Sequence, residues 1–255
     1  MRITSLIVIF ILPLIFFYFH SLEKNHSIKI FYWVWAGNID NTSNVNSIKE
    51  FCYERNFCEV KAKHIHVTSY NKKNEFISHV NKNFWTKFKN TSESIVLTFR
   101  LEKLPNVYDI GDIFNKHKNI IQQSGLTVDG IEIDYDSPSN KINFYNTWLQ
   151  KLSLLLENEK LEITGLRSWV DDNQFETKEL LKNVENINFQ LYQYDKNIFP
   201  TQNFFNFIND NKNVNLAIYC NDYEFFEKII KNFNDTKYLS VGFFFNNTCT
   251  IESIF

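Results

Sequence analysis

The residues best placed to do chemistry lie in one stretch, Val128 to Pro138, which reads VDGIEIDYDSP. Side chains on a strand alternate between faces, so Glu132, Asp134 and Asp136 share one face while Ile131, Ile133 and Tyr135 share the other. Same-face neighbours two positions apart are separated by roughly 7 Å. Burying like charges that close is costly unless they share protons or meet cations. A carboxyl whose proton affinity is raised in this way is what a general acid at neutral pH requires. Asp136 is the candidate general acid, Asp134 its electrostatic and positioning partner, and Glu132 the deepest of the three. The competing reading is a buried hydrogen-bond network satisfied from other strands, with Arg100, Gln190, Tyr192 and Arg167 as candidate partners.

Other residue types supply further candidates. Trp35 and Trp169 each stand at the end of an expected strand, where an aromatic face would suit a sugar ring, or else pack against helices. Trp85 and Trp148 sit in helical patterns and read as core. His64 and His66 form H-I-H on one strand face, and with Glu132 or Asp134 they make an alternative metal-dependent hydrolase site. The usual barrel arrangement, with H-x-H on the first strand and an Asp on the last, is not met. No metal is therefore assigned. Glu102 and Asp171 are further carboxylates that could face Asp136 across a site.

These residues need a frame to hold them. Eight short runs rich in β-branched and aromatic residues read as strands: Ile28–Trp35, Val60–Val67, Ser94–Leu101, Gly130–Asp136, Leu161–Ser168, Ile187–Tyr194, Val214–Tyr219 and Leu239–Phe245. Amphipathic stretches lie between them, such as Ile142–Leu156, where Phe144, Trp148, Leu152 and Leu155 recur at helical spacing. This alternation predicts an α/β fold, a single (β/α)8 TIM barrel over residues 25–255, with an open doubly wound sheet as the alternative. In a barrel the three carboxylates point into the lumen, with Asp136 at the C-terminal mouth, where barrel enzymes keep their chemistry.

Leu6 to Phe19 carries no charge and follows Arg2, which reads as a membrane-targeting segment within residues 1–24. It is barely long enough to span a bilayer. No pair of small residues marks a cleavage site, so a retained anchor is expected over a cleaved signal, with the barrel in the cell envelope outside the cytoplasm; secretion or a periplasmic location is the alternative. Export permits disulfides, and spacing favours Cys52 with Cys58 and Cys220 with Cys249, free buried thiols being the alternative. The chain has a net charge of −2, which excludes the basic footprint of a nucleic-acid binder. Only 6 Gly are present and none forms a phosphate-cradling loop, so no nucleotide cofactor is expected. No other cofactor is expected either, and the chain should be a monomer.

At Asp129 to Asp136, DGIEIDYD resembles the D-G-x-D-x-D-x-E signature of family 18 glycoside hydrolases, the chitinase-like barrels. Asp129, Gly130 and Asp134 match. Glu132 stands where that family has Asp, and Asp136 where it has the Glu that protonates the glycosidic oxygen. A resemblance covering residues 29–195 is to a family of bacterial barrels of unknown function, family 3142. It rests on FYWVW (Phe31–Trp35), TFRL (Thr98–Leu101), IEIDYDSP with Tyr145, Trp148 and Leu149, ITGLRSWVD (Ile163–Asp171) and FQLYQ (Phe189–Gln193). The chitinase-like resemblance implies that Asp134 orients a substrate N-acetyl group and Tyr192 binds it. The Trp that floors the sugar subsite in that family has no counterpart, since the last strand offers Phe243 to Phe245. The expected function is a glycoside-hydrolase-like barrel acting on a carbohydrate. The alternative is a non-catalytic barrel that binds glycan or serves the envelope structurally.

Overall fold

Eight parallel strands pair side by side until the last returns to the first, so no strand of the ring has an open edge. The computed structural model describes residues 28–35, 58–80, 82–85, 94–191, 200–219, 225, 228–229 and 240–244. Its elements are β1 (Ile28–Trp35), β2 (Cys58–Tyr70), β3 (Phe76–Ser78), α1 (Lys82–Trp85), β4 (Ser94–Leu101), α2 (Val107–Gln123), β5 (Val128–Asp134), α3 (Ile142–Leu156), β6 (Lys160–Leu166), α4 (Arg167–Leu180), β7 (Asn186–Gln190), α5 (Gln202–Asp210), β8 (Val214–Tyr219) and β9 (Ser240–Phe244). A 3-10 turn, Ser139–Lys141, precedes α3. Around the ring the order is β1-β9-β8-β7-β6-β5-β4-β2, and β1 also pairs with β2, which closes it. The short β3 adds to the eight expected strands. It folds back antiparallel against Thr68–Tyr70 at the end of β2.

The strands are buried on both faces, and the two faces differ in kind. Ile95, Leu97, Phe99, Ile131, Ile133, Leu161, Ile163, Ile187 and Phe189 form the apolar layer under the helices. The alternate positions point into the ring and are largely polar: Thr98, Glu132, Asp134, Glu162, Thr164, Asn188 and Gln190 are all buried. At Gly130 the backbone of β5 comes so close to β6 that a Cβ would lie 2.3 Å from the Lys160 carbonyl oxygen. That approach, rather than turn geometry, explains the Gly beside Asp129.

Three strands begin and end as expected: Ile28–Trp35, Ser94–Leu101 and Val214–Tyr219. β2 is longer at both ends than the expected Val60–Val67. β5 stops at Asp134, two residues short of Asp136, because the chain turns there: Ser137 N–H donates to Tyr135 O at 2.8 Å, and Pro138 follows. β6 stops at Leu166, so Arg167, Ser168 and Trp169 open α4 instead of ending a strand. The helix over Ile142–Leu156 has the expected ends and a rotated face. Tyr145, Trp148, Leu149 and Leu152 pack inward, whereas Phe144 is 68% exposed and Leu155 37%. Apolar character alone does not distinguish the buried stripe from its flanks.

The segment 1–24, Cys52, Cys220, Cys249 and Tyr192 lie outside the described residues. So do the side chains of Cys58 and Trp35. Among the described residues, no helix is long and apolar enough to cross a membrane.

Candidate functional site

The polar interior is arranged in two tiers along β5. The lower tier is built on Glu132, which is fully buried. Its Oε2 accepts hydrogen bonds from Trp33 Nε1 (2.7 Å), Thr98 Oγ1 (2.7 Å) and His64 Nδ1 (3.1 Å), and its Oε1 accepts from Asn188 Nδ2 (2.8 Å). Asn188 also donates to Glu162 Oε2 at 3.1 Å and accepts from Asn215 Nδ2 at 2.7 Å. His64 thus stands between two carboxylates, with Nε2 3.9 Å from Glu162. Burial works against charge on both partners, but the His64–Glu132 attraction outweighs it. The imidazole is held above its ordinary pKa and the carboxyl below its own. The tier is therefore a buried ion pair whose acceptor atoms are saturated with donors.

The upper tier is built on Asp134. Its Oδ1 accepts from Thr164 Oγ1 (3.0 Å) and Gln190 Nε2 (3.1 Å), and Arg100 Nη1 lies 3.4 Å from Oδ2. Arg100 is 42% exposed on its side chain, so its charge is shared with solvent. Burial pushes the Asp134 carboxyl up to about 6; Arg100 opposes the shift, and Glu132 and Asp136 reinforce it. Gln190 Oε1 is buried and has no hydrogen-bond partner among the described residues. The upper tier is thus less completely satisfied than the lower one.

Asp136 lies above both tiers, beyond the end of β5, and is exposed. Its loop is held from α4: Trp169 Nε1 donates to Ser137 O at 2.7 Å, and Asn173 Nδ2 donates to Ser139 O at 3.1 Å. Strand alternation predicts three carboxylates projecting together into the lumen. Two do so and the third sits at the rim, because the turn at Tyr135–Ser137 breaks the alternation. Trp169 is fully buried on α4, edge-on to Tyr145, and is a clamp on this loop instead of a mouth platform. Arg167, likewise on α4, pairs with Asp171 at 3.1 Å. Glu102 accepts from the backbone N–H of Lys72, and Asp171 also accepts from Thr201 Oγ1. Trp85 and Trp148 are core residues, and Trp148 Nε1 donates to Pro105 O.

His64 and His66 do not converge on a common point with a carboxylate. His64 faces Glu132 and Glu162, whereas His66 faces Ser69, Nε2 to Oγ 3.1 Å. Among the described residues no three His, Cys, Asp or Glu side chains gather in a way that could hold a metal. Sequence reasoning missed Trp33, Thr98, Glu162, Thr164, Asn188 and Asn215. Their signal was present: each is a polar or N–H-bearing residue at an inward position of an expected strand.

The fold and its acidic strand can be set beside known proteins. Residues 93–208 match the family of domains of unknown function DUF3142. That span runs from β4 into α5 and contains Glu132 and Asp134, while Trp33, His64 and Asn215 of the lower tier lie outside it. No protein of curated function matches the chain. Among solved structures, the spore cortex-lytic enzyme SleL of Bacillus megaterium QM B1551 superposes with a TM-score of 0.54 at 10% identity. The match covers 76% of this chain and 51% of that one, so the chain spans about half of SleL. The catalytic domain of a family GH18 chitinase from the fern Peteris ryukyuensis superposes with a TM-score of 0.54 at 11% identity, over 86% of this chain and 91% of that one. These likenesses show a shared barrel fold.

Proposed function

We propose that this barrel acts on a glycan at the C-terminal mouth, with Asp136 as proton donor and Asp134 as the partner that positions and tunes it. One observation carries the reading. Asp134 tops the buried column with its pKa raised to about 6, two residues before an exposed carboxyl on a clamped loop. Acid catalysis of glycoside cleavage needs a carboxyl that holds its proton near neutral pH; here Asp134 holds it and would pass it to Asp136, which reaches solvent and the leaving oxygen. Support for a carbohydrate comes from the fold's neighbours, one of which is named as a chitinase and the other as a cortex-lytic enzyme. Arg100 and Gln190 are positioning residues in this reading, since both reach Asp134. Tyr192 and Trp35 are further substrate contacts, and residues 1–24 tether the barrel outside the cytoplasm.

The test is reducing-end release from chitin oligosaccharides and from peptidoglycan fragments by the purified chain. Asp136→Asn should abolish release and retain binding, and Asp136→Glu, which restores the longer acid, should raise it. Unchanged turnover in Asp136→Asn would remove Asp136 as the acid. The saturated Glu132 favours a second reading, in which the acidic strand serves structure and the barrel only binds glycan. That reading predicts binding without release in the wild-type chain and no effect of Asp136→Asn on binding.

A further inference from the structure

The end of β2 carries a cluster that the carboxylate column does not use. His66 is buried, Ser69 is half-buried and His79 is exposed. The register of β2 against β4 slips by one between His66 and Thr68, a bulge that brings His66 and Ser69 onto the same side although three residues apart. β3 then folds back, and the backbone N–H of His79 donates to Val67 O at 2.8 Å, which fixes where His79 stands. As a result His66 Nε2 and His79 Nε2 lie 3.1 Å and 2.8 Å from the same atom, Ser69 Oγ. The two rings are 4.5 Å apart and inclined by 33°.

The geometry points to a site for a divalent first-row transition ion, Zn(II), Cu(II) or Ni(II), held by Nε2 of His66 and Nε2 of His79 with Ser69 Oγ beside them. Two imidazole nitrogens and a hydroxyl converge on one small volume, and imidazole is the ligand these ions prefer over the hard oxygen-seeking cations. The Ser69 hydroxyl bridges the two rings, able to donate to one nitrogen and accept from the N–H of the other. An ion would take the place of that bridge. Arg100 lies in the same field and opposes a cation, but its charge is offset by Asp134. Solvent reaches the cluster through His79. The site is independent of the glycan reading.

The experiment is calorimetric titration of the tag-free full chain with zinc chloride, together with the electron paramagnetic resonance spectrum of its Cu(II) form. One ion per chain is expected, with coupling to two nitrogens. His79→Ala, a surface change that spares the fold, should lose one nitrogen and weaken binding at least about tenfold, since even an outer partner of a metal-bound His is worth that much. His26→Ala should change nothing, and Ser69→Ala should keep both nitrogens. No binding at millimolar zinc, or binding unaltered by His79→Ala, would overturn the site.

Discussion

Glu132 and Asp134 are the same kind of group on the same strand, two positions apart and both buried, yet their protons are held in opposite senses. Glu132 sits below its ordinary pKa and Asp134 is pushed up to about 6. The difference lies in what surrounds each carboxyl. Glu132 accepts four hydrogen bonds, one of them from a buried imidazolium, whereas Asp134 accepts two from neutral groups and has a half-exposed guanidinium at 3.4 Å. Desolvation acts on both. It is overcome only where a cation is equally buried. One tier is therefore a structural ion pair, and the tier above it is a titrating site.

The largest effect should come from breaking the lower tier. Glu132→Gln keeps the shape and removes the nearer of the two counter-charges of His64, leaving only Glu162 at 3.9 Å, which should destabilise by about 3 kcal/mol in denaturant melts at neutral pH. Because the folded pKa of Glu132 is depressed, its contribution is present above pH 4.5 and fades as pH falls through the folded value. The variant and the wild type should converge in acid.

The upper tier should respond with the opposite sign. A carboxyl whose folded pKa is raised contributes stability below its unfolded value of 3.8 and loses it as pH rises through about 6. Asp134→Asn, which needs no ionisation, should therefore gain on the wild type between pH 4 and 6 and be the more stable by about 1–3 kcal/mol at pH 7. Equal stabilities across that range would remove the contrast between the tiers.

Smaller effects sharpen the picture at the rim. Trp169→Phe removes the bond to Ser137 O while keeping most of the ring, and should cost about 1 kcal/mol. Faster amide exchange at Ser137 to Ser139 should accompany it. Arg100→Gln should cost less than about 1 kcal/mol, as half-exposed ion pairs do. It should also raise the Asp134 midpoint further, because Arg100 is the cation that opposes the shift.

Much of this is legible in the sequence. The eight strands and their inward positions follow from period-2 alternation, and the shared face of Glu132 and Asp134 follows with them. Arg100 and Gln190 emerge as partners on the same ground. Tertiary packing decides the remainder. A one-residue turn after Tyr135 sets Asp136 apart, and a strand ending at Leu166 moves Trp169 from the mouth to the helix layer. The sequence sets His64 beside Glu132 or Asp134 only as an alternative metal site, because alternation gives the shared face and not the contact. The contact is a direct hydrogen bond between His64 and Glu132, 68 positions apart in the chain.

The two tiers can be watched directly by carbon-13 detection of side-chain carboxyl shifts as pH is varied, with Asp134→Asn and Glu132→Gln assigning the signals. The Asp134 carboxyl should titrate near pH 6, while Glu132 stays ionised to below the ordinary carboxylate range. A Glu132 protonated at neutral pH, or an Asp134 titrating at its unperturbed 3.8, would contradict the account.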